Sequence, residues 1–587
     1  MTAGGVIAQR LTALVADSRW QQRVLLLGAL AAFYALTAAG NLSEPDDAYA
    51  FAYRVERFAL THVSDPRLLG YHALGRGLWL ASEALGLGVR GLEILRGIAV
   101  LSAPLCLWLV FRILTQRLAV AALPAFLASG FLAASYGFWR YAAEADVYVP
   151  AMMLCAGVLY FLLDPRGGLL RHAAIGAAAG LCVLFYQPNA IPLFLVFPLL
   201  VLRAGAGMAF TYCAAGSVAA GAGYLLGYFA FWPAPLEWLS FKFFLAQRSE
   251  EFIVAPLSLK TIIVSMIRSA CALGHDIVSA NWVFGLPHAE RLVQRAFGWH
   301  MIEEEVFLAR QAGALIYAPL LILPVAAFAA WRVLRAAWPG VPGALLLATM
   351  PVLGLWAALT ALIIGRLNPG GIEAWIVFLL PLTLVFALAV IVPACSRQGT
   401  RMVCLLLAMF AMHNAIGGMA LVQSRQSDLN FLRGEWVIAN AGPDDLVIVV
   451  GNSGLTESLR YRSRARVEMI HPFVAPILAR ALLDSHDTGP AILSTGRDFS
   501  GTDVHALARQ VAASGGRVMV FNHFFMPSGP ADRADDPLAR EMAGFKQRSP
   551  LLHRASDGFT THRLTVIGQG QPARADGPDA ATGKAAQ

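Results

Sequence analysis

The sequence predicts a multi-spanning α-helical membrane protein of about eleven spans carrying a soluble α/β domain at its C-terminal end. Three observations lead there. Of the 587 residues, 57% are hydrophobic and 14% charged, with a mean hydropathy of +0.60. Long apolar runs recur from residue 24 to residue 421 and then stop. From residue 425 onward the apolar stretches become short and alternate between strand-like and helix-like spacing. Soluble domains carry roughly a quarter charged residues, so an ordinary cytosolic enzyme is excluded, as are disordered and coiled-coil chains.

A spanning helix needs about 20 mostly apolar residues. Such runs centre on 24–40, 94–114, 118–137, 147–163, 171–187, 189–203, 208–232, 312–334, 343–364, 373–395 and 402–421. Gln187, Pro188 and Asn189 leave the two spans of 171–203 short. With residues 1–23 cytoplasmic, each inner junction carries arginine: Arg10, Arg19 and Arg23, then Arg112 and Arg117, Arg166 and Arg171, Arg203, Arg332 and Arg335, Arg397 and Arg401. That regularity puts loops 41–93 and 233–310, and the chain from 422, on the outside. A cleaved signal peptide is the alternative for the first run. The net charge of +8 thus reads as membrane topology; no basic stripe with interleaved aromatics points to nucleic acid. The seven cysteines show no CxxC or Cys/His spacing and read as small buried hydrophobes.

Outside the spans, 47–60 and 69–86 show helical spacing and read as helices on or beside the membrane. In the tail domain, 422–568, strands are expected at 446–452, 491–496, 517–524 and 562–568, and helices at 472–485 and 502–514, as a mainly parallel sheet. Residues 569–587 lack periodicity and are expected to be disordered.

Two outer segments concentrate charge beside the bilayer, where carboxylates are costly unless solvated, paired or used. The first is Glu44-Pro45-Asp46-Asp47, directly after the first span; Asp46 and Asp47 are candidates for a base, or one of them for the cap of the next helix. The second is 138–148, which holds Arg140, Glu144, Asp146 and Tyr148 among further aromatics. Weaker candidates are His62, Asp65, Tyr71 and His72, then Gln187 and Asn189, then Arg366, Asn368 and Glu373, and Lys242, Arg248, Glu250 and Glu251. Carboxylates, arginines and aromatics on one membrane face suit a ligand with a lipid tail and an anionic head, which the planar fork of arginine can hold by two bonds. No Gly-rich phosphate loop, nucleophile elbow or HExxH is present.

An acidic pair after the first span, a helix-rich first outer loop, about eleven spans and an outer soluble domain resemble the GT-C superfamily of integral-membrane glycosyltransferases. SYGFWRYAAEADVYVP (135–150) and GNSGLTESLRYRSRARVEMI (451–470) resemble its protein O-mannosyltransferase-like branch. The resemblance implies inverting transfer of a sugar from a polyprenyl-phosphate donor to an acceptor hydroxyl on protein, lipid or glycan. It implies a bacterial inner membrane, with the C-terminal domain periplasmic or extracellular. The catalytic aspartate would map to Asp46 or Asp47, and the second-loop acid to Glu144 or Asp146. The acidic pair here is Asp-Asp where the family has Asp-Glu, and Tyr71-His72-Ala73 stands where it has His-Pro. Arg140, Glu144, Asp146, Tyr148, Tyr71, His72, Arg366 and Asn368 are the expected substrate-binding set. No cofactor is assigned; a divalent metal ion is compatible with the chemistry. The competing readings are a polymerase or ligase of the O-antigen type and a flippase of lipid-linked glycans, though no internal repeat of the transporter kind is visible.

Overall fold

The computed structural model describes residues 20–42, 47–57, 65–164, 167–232, 235–246, 258–286, 288–289, 291–292, 303–337, 344–397, 399–483, 491–494, 502–526 and 537–566. Asp46, Arg248, Glu250, Glu251, His62 and the 569–587 tail lie outside these residues. The chain forms two compact units, Met1–Leu429 and Asn430–Gln587.

In the first unit every apolar run is helical. Six helices among the described residues are long and apolar enough to cross a membrane: Gly91–Arg117, Ala206–Phe231, Glu304–Ala337, Thr349–Leu367, Ile372–Ser396 and Thr400–Met419. The other five runs give shorter apolar helices, Val24–Leu36, Ala122–Ala134, Tyr148–Leu162, Leu169–Phe185 and Gln187–Val201. This is a multi-pass membrane protein. The shortening has local causes. Ser135 is extended (ψ 139°), ending one helix and opening another, and Tyr186 is extended just before Pro188.

In chain order the helices used below are α1 (Trp20–Leu36), α2 (Asp47–Arg57), α3 (Leu69–Ala84), α4 (Gly91–Arg112), α5 (Ala122–Ala134), α6 (Tyr136–Tyr141), α7 (Tyr148–Leu162), α8 (Leu169–Phe185), α9 (Ala206–Phe231), α10 (Trp238–Ala246), α11 (Leu259–Ile277), α12 (Ala344–Leu367), α13 (Leu379–Phe386) and α14 (Thr400–Asn414). Helix α8 lies directly on α9 because small residues let the backbones touch: a Cβ on Gly176 would collide with the Tyr212 carbonyl, and one on Gly180 with the Gly216 carbonyl. That contact fixes the end of α8, from which Tyr186 projects. Helix α2 is largely buried rather than lying open on a surface, with Tyr49, Phe51 and Val55 in the core. Its ends are tied by side chains. Arg76 Nη1 donates to the carbonyls of Val55 (2.6 Å) and Glu56 (3.0 Å) at the C-terminus of α2, where a cation is favoured. Glu56 Oε1 accepts from Arg90 Nε (2.8 Å) and Gly91 N–H (2.7 Å) at the N-terminus of α4.

The second unit is α/β. A five-stranded sheet has the order β2-β1-β3-β5-β4, with β1 (Leu446–Val450), β2 (Arg466–Ile470), β3 (Val518–Phe521), β4 (Leu551–Arg554) and β5 (Thr560–Leu564). Pairs β1–β2 and β1–β3 are parallel, whereas β3–β5 and β5–β4 are antiparallel, so the sheet is mixed. β1 is buried at every position, as a central strand covered on both faces must be. The expected strand at 491–496 contributes only the bridge Leu493↔Asp503, with 495–501 outside the described residues. The β4–β5 hairpin closes through Ala555-Ser556-Asp557-Gly558, with Gly558 at φ 86°, and this Asp-Gly signal marks a hairpin that the strand pattern alone does not.

Candidate functional site

The approach to the acidic pair is tied to the end of the first unit by several hydrogen bonds. The N–H groups of Gly40 and Asn41 donate to the Val422 carbonyl (both 3.0 Å). Asn41 Nδ2 donates to the Ser427 carbonyl (2.8 Å), and the Asp428 carboxylate accepts from Leu42 N–H (2.9 Å). The Asn41 carbonyl in turn accepts from Arg140 Nη2. Asp47 then opens α2 as its first residue, half-buried, at the end of the helix where negative charge is favoured.

Arg140 and Glu144 form an ion pair, Nη1 to Oε1 at 2.7 Å, with both side chains 0% exposed. They sit one helical turn apart, the spacing that lets side chains meet. Arg96 of α4 completes the group, its Nη2 donating to Glu144 Oε2 and to the Ala39 carbonyl (both 3.3 Å). Two guanidinium groups thus clasp one carboxylate and also hold residues 39 and 41. A buried charge is tolerable only with such multiple partners. Arg96 escapes sequence reading because it lies in an apolar run, one turn inside α4.

Asp146 is buried, and its Oδ1 accepts from the next backbone N–H, Val147, at 2.6 Å. Its charge acts on three tyrosines, Tyr71, Tyr148 and Tyr186. Rings of Tyr141 and Tyr148 stand 5.8 Å apart, and those of Tyr148 and Tyr186 5.6 Å, both edge to face. Tyr71 packs against Phe51 (5.9 Å) and Phe185 (5.6 Å), and His72 against Phe51 (5.2 Å). Burial first, then the Asp146 carboxylate, raises the Tyr71 hydroxyl far above its ordinary value, so it stays protonated as a donor. Glu373, in the helical turn Ile372–Trp375, acts electrostatically on Tyr148 and Tyr186.

Asp65 sits beside this cluster, between Arg54 Nη1 (3.5 Å) and Arg67 Nε (3.3 Å). Burial raises its carboxyl, but Arg67, Arg54 and His72 outweigh that and hold it below the usual carboxylate range. Arg67 keeps 21% of its side chain exposed and also acts on Tyr186. Tyr71, His72, Asp146 and Tyr148 therefore come together, joined by Asp65, Arg67, Tyr186 and Glu373, with Arg140 and Glu144 enclosed in the same short loop. Arg366 and Asn368 lie at the end of α12 and in the turn that leads to Glu373. Gly371 is pressed so closely on the Asn368 side chain that no Cβ fits there. Among the described residues no three His, Cys, Asp or Glu side chains gather in a metal-holding group.

A second buried polar group was not evident from the sequence. Asn414 Nδ2 donates to the carbonyls of Ala134 and Ile277 (both 2.8 Å), and its Oδ1 accepts from Ser279 N–H (2.9 Å). His413 Nε2 meets the Ser279 carbonyl (3.1 Å), and His275 packs on Tyr136 at 4.8 Å. The Asp276 carboxylate presses on Gly137 in the first turn of α6, so a Cβ there would lie 2.5 Å from Oδ1. This group pins α11 to α6, the helix that carries Arg140.

No protein-family model matches the chain, and no curated protein matches it. Among solved structures the chain is similar to ArnT from Cupriavidus metallidurans bound to undecaprenyl phosphate, at 13% identity over 94% of this chain and 100% of that one, with a TM-score of 0.39. It is likewise similar to ArnT from Cupriavidus metallidurans in the apo state, at 12% identity over 92% and 97%, with a TM-score of 0.40.

Proposed function

We propose that the chain is a membrane glycosyltransferase of the GT-C type that moves a sugar from a polyprenyl-phosphate donor to an acceptor hydroxyl on the outer face, with inversion. Asp46 or Asp47 takes the proton from the acceptor hydroxyl as its oxygen bonds to the anomeric carbon. The bond from that carbon to the phosphate oxygen breaks, and polyprenyl phosphate leaves carrying the electron pair. Arg366 and Arg67 are the cations for the phosphate. Asp146, Tyr148, Tyr71 and His72 line the sugar, with Asn368 at the edge. Arg140 and Glu144 act by position, holding the backbone that leads to the base.

The observation that carries this reading is the tie between the two acidic loops. Arg140, paired to Glu144, holds the carbonyl of Asn41, five residues before Asp46. Independent surface helices with solvated carboxylates have no need of such a tie.

The test is purified full-length protein in lipid discs with a panel of polyprenyl-phosphate sugars and a hydroxyl acceptor. One donor should release polyprenyl phosphate in step with acceptor glycosylation. Transport of an intact lipid-linked sugar across the disc, with no release from any donor, would sink the reading in favour of a flippase.

A further inference from the structure

Between α5, α13 and α14 lies an open-sided apolar recess of about 330 Å³. Its walls are Phe131 and Leu132 of α5, Leu379 and Phe386 of α13, and Leu406 and Phe410 of α14. Phe131 stands 5.6 Å from Phe386 and 5.5 Å from Phe410, so three rings line one stretch of it. Its open side leaves these apolar walls to be covered by whatever medium surrounds the helices. Water is a poor occupant: an apolar cavity of roughly 150 Å³ stays dry and takes benzene instead. No charged side chain lines the recess; its two hydroxyl residues are Thr383, which is buried, and Ser135, which donates to the Leu132 carbonyl (2.7 Å). The occupant is therefore plain hydrocarbon.

We infer that the recess binds one acyl chain of a bilayer glycerophospholipid, at a site separate from the reaction centre. Three features select that occupant. Walls α13 and α14 belong to helices long and apolar enough to cross a membrane, and α5 is a shorter apolar helix beside them, so the medium at the open side is itself lipid chains. Scaled from the benzene-sized cavity, the space takes roughly a dozen carbons, which suits part of one acyl chain. None of its residues belongs to the Asp146–tyrosine cluster, as the donor's tail would require. The wall is also of a kind that adjusts: α13 has only 8 residues, between the 3₁₀ turn Ile376–Phe378 and the π turn Ala387–Ile391. Ser135 and Ile277 at the rim adjoin α6 and end α11, so the bound chain braces the contact through which Asp276 seats α6.

Native mass spectrometry of the full chain, released from membranes in mild detergent, tests this. Wild-type protein should keep one phospholipid under activation that strips the rest. Leu406→Trp, at a half-buried wall position where an indole fills the space, should lose most of that adduct. Phe386→Ala, which deepens the recess, should shift retention toward the longer chain when the protein is offered a mixture of short- and long-chain phosphatidylglycerols. Equal retention in Leu406→Trp together with unchanged chain preference in Phe386→Ala overturns the inference. So does a retained adduct with the mass of a polyprenyl phosphate. If Leu406→Trp fails to fold, the chain preference of Phe386→Ala decides alone.

Discussion

At the scale of single residues, the acidic pair and the clasp behind it should fail in different ways. Asp46→Asn or Asp47→Asn, whichever removes the base, should lower transfer ~10²–10⁴-fold while donor binding and thermal stability hold. Full activity in both single variants and in the double variant would end the catalytic role. Glu144→Gln instead leaves the Arg140 and Arg96 guanidinium groups without their carboxylate and should cost about 3–5 kcal/mol of stability, and Arg140→Met, where Arg96 still pairs with Glu144, should cost less. A thermal melt of either variant matching wild type would contradict the enclosed pair. The sequence made Arg140, Glu144 and Asp146 legible because charges in a short loop between apolar runs have no bland explanation. It did not make Arg96 or Asp276 legible. Each lies inside a helical pattern, and its partner is at least 48 residues away for Arg96 and 139 for Asp276, a distance no spacing rule spans.

At the scale of elements, α6 is held by its first turn. Gly137→Ala would drive a methyl into the Asp276 carboxylate, and neither group has room to yield. Overpacking of this kind typically costs ~1–3 kcal/mol. Transfer should fall with it, and pairing the change with Asp276→Ala should recover part of the stability; additive losses in the double variant would refute the contact. In the second unit, acid should loosen the sheet. Burial holds His505, His553 and His562 below their ordinary value of 6.5. The unfolded chain therefore binds protons first as pH falls, and their contribution drops away below about 6.5. Asp445 is raised by burial but lowered more by Arg517 and by the N–H of Gly442, so its contribution is also lost, at lower pH. Protection factors of the β3 and β5 amides in the full chain, which take out the intrinsic slowing of exchange in acid, should fall from neutral to mildly acidic pH; flat protection over that range would contradict this. The mixed sheet was only half legible. β1 and β3 stand out as dense apolar runs, whereas the edge strand β2 (RVEMI) mixes charge with apolar residues and the edge strand β4 (LLHR) has no fully buried residue, so both resemble loop.

At the scale of the whole molecule, arginine at each inner junction predicts a cytoplasmic N-terminus and an outer second unit. A reporter active only outside the cytoplasm, fused after residue 430, should work, and activity of a cytoplasmic reporter there would turn the whole site inward. Removing 425–587 also removes Ser427 and Asp428, which hold Asn41 and Leu42. The shortened protein should still bind donor but transfer poorly, whereas cutting after Leu429 should leave transfer closer to wild type.

Those bonds have a consequence for biogenesis. Spans enter the bilayer in order as the ribosome delivers them, but the seam joining residues 40–42 to 422–428 cannot close until the last of these has left the ribosome. A nascent chain halted before Val422 would hold every other loop of the candidate site, with the approach to the acidic pair held only by Arg96 and Arg140. The last fastening of the site therefore waits for one late moment of synthesis.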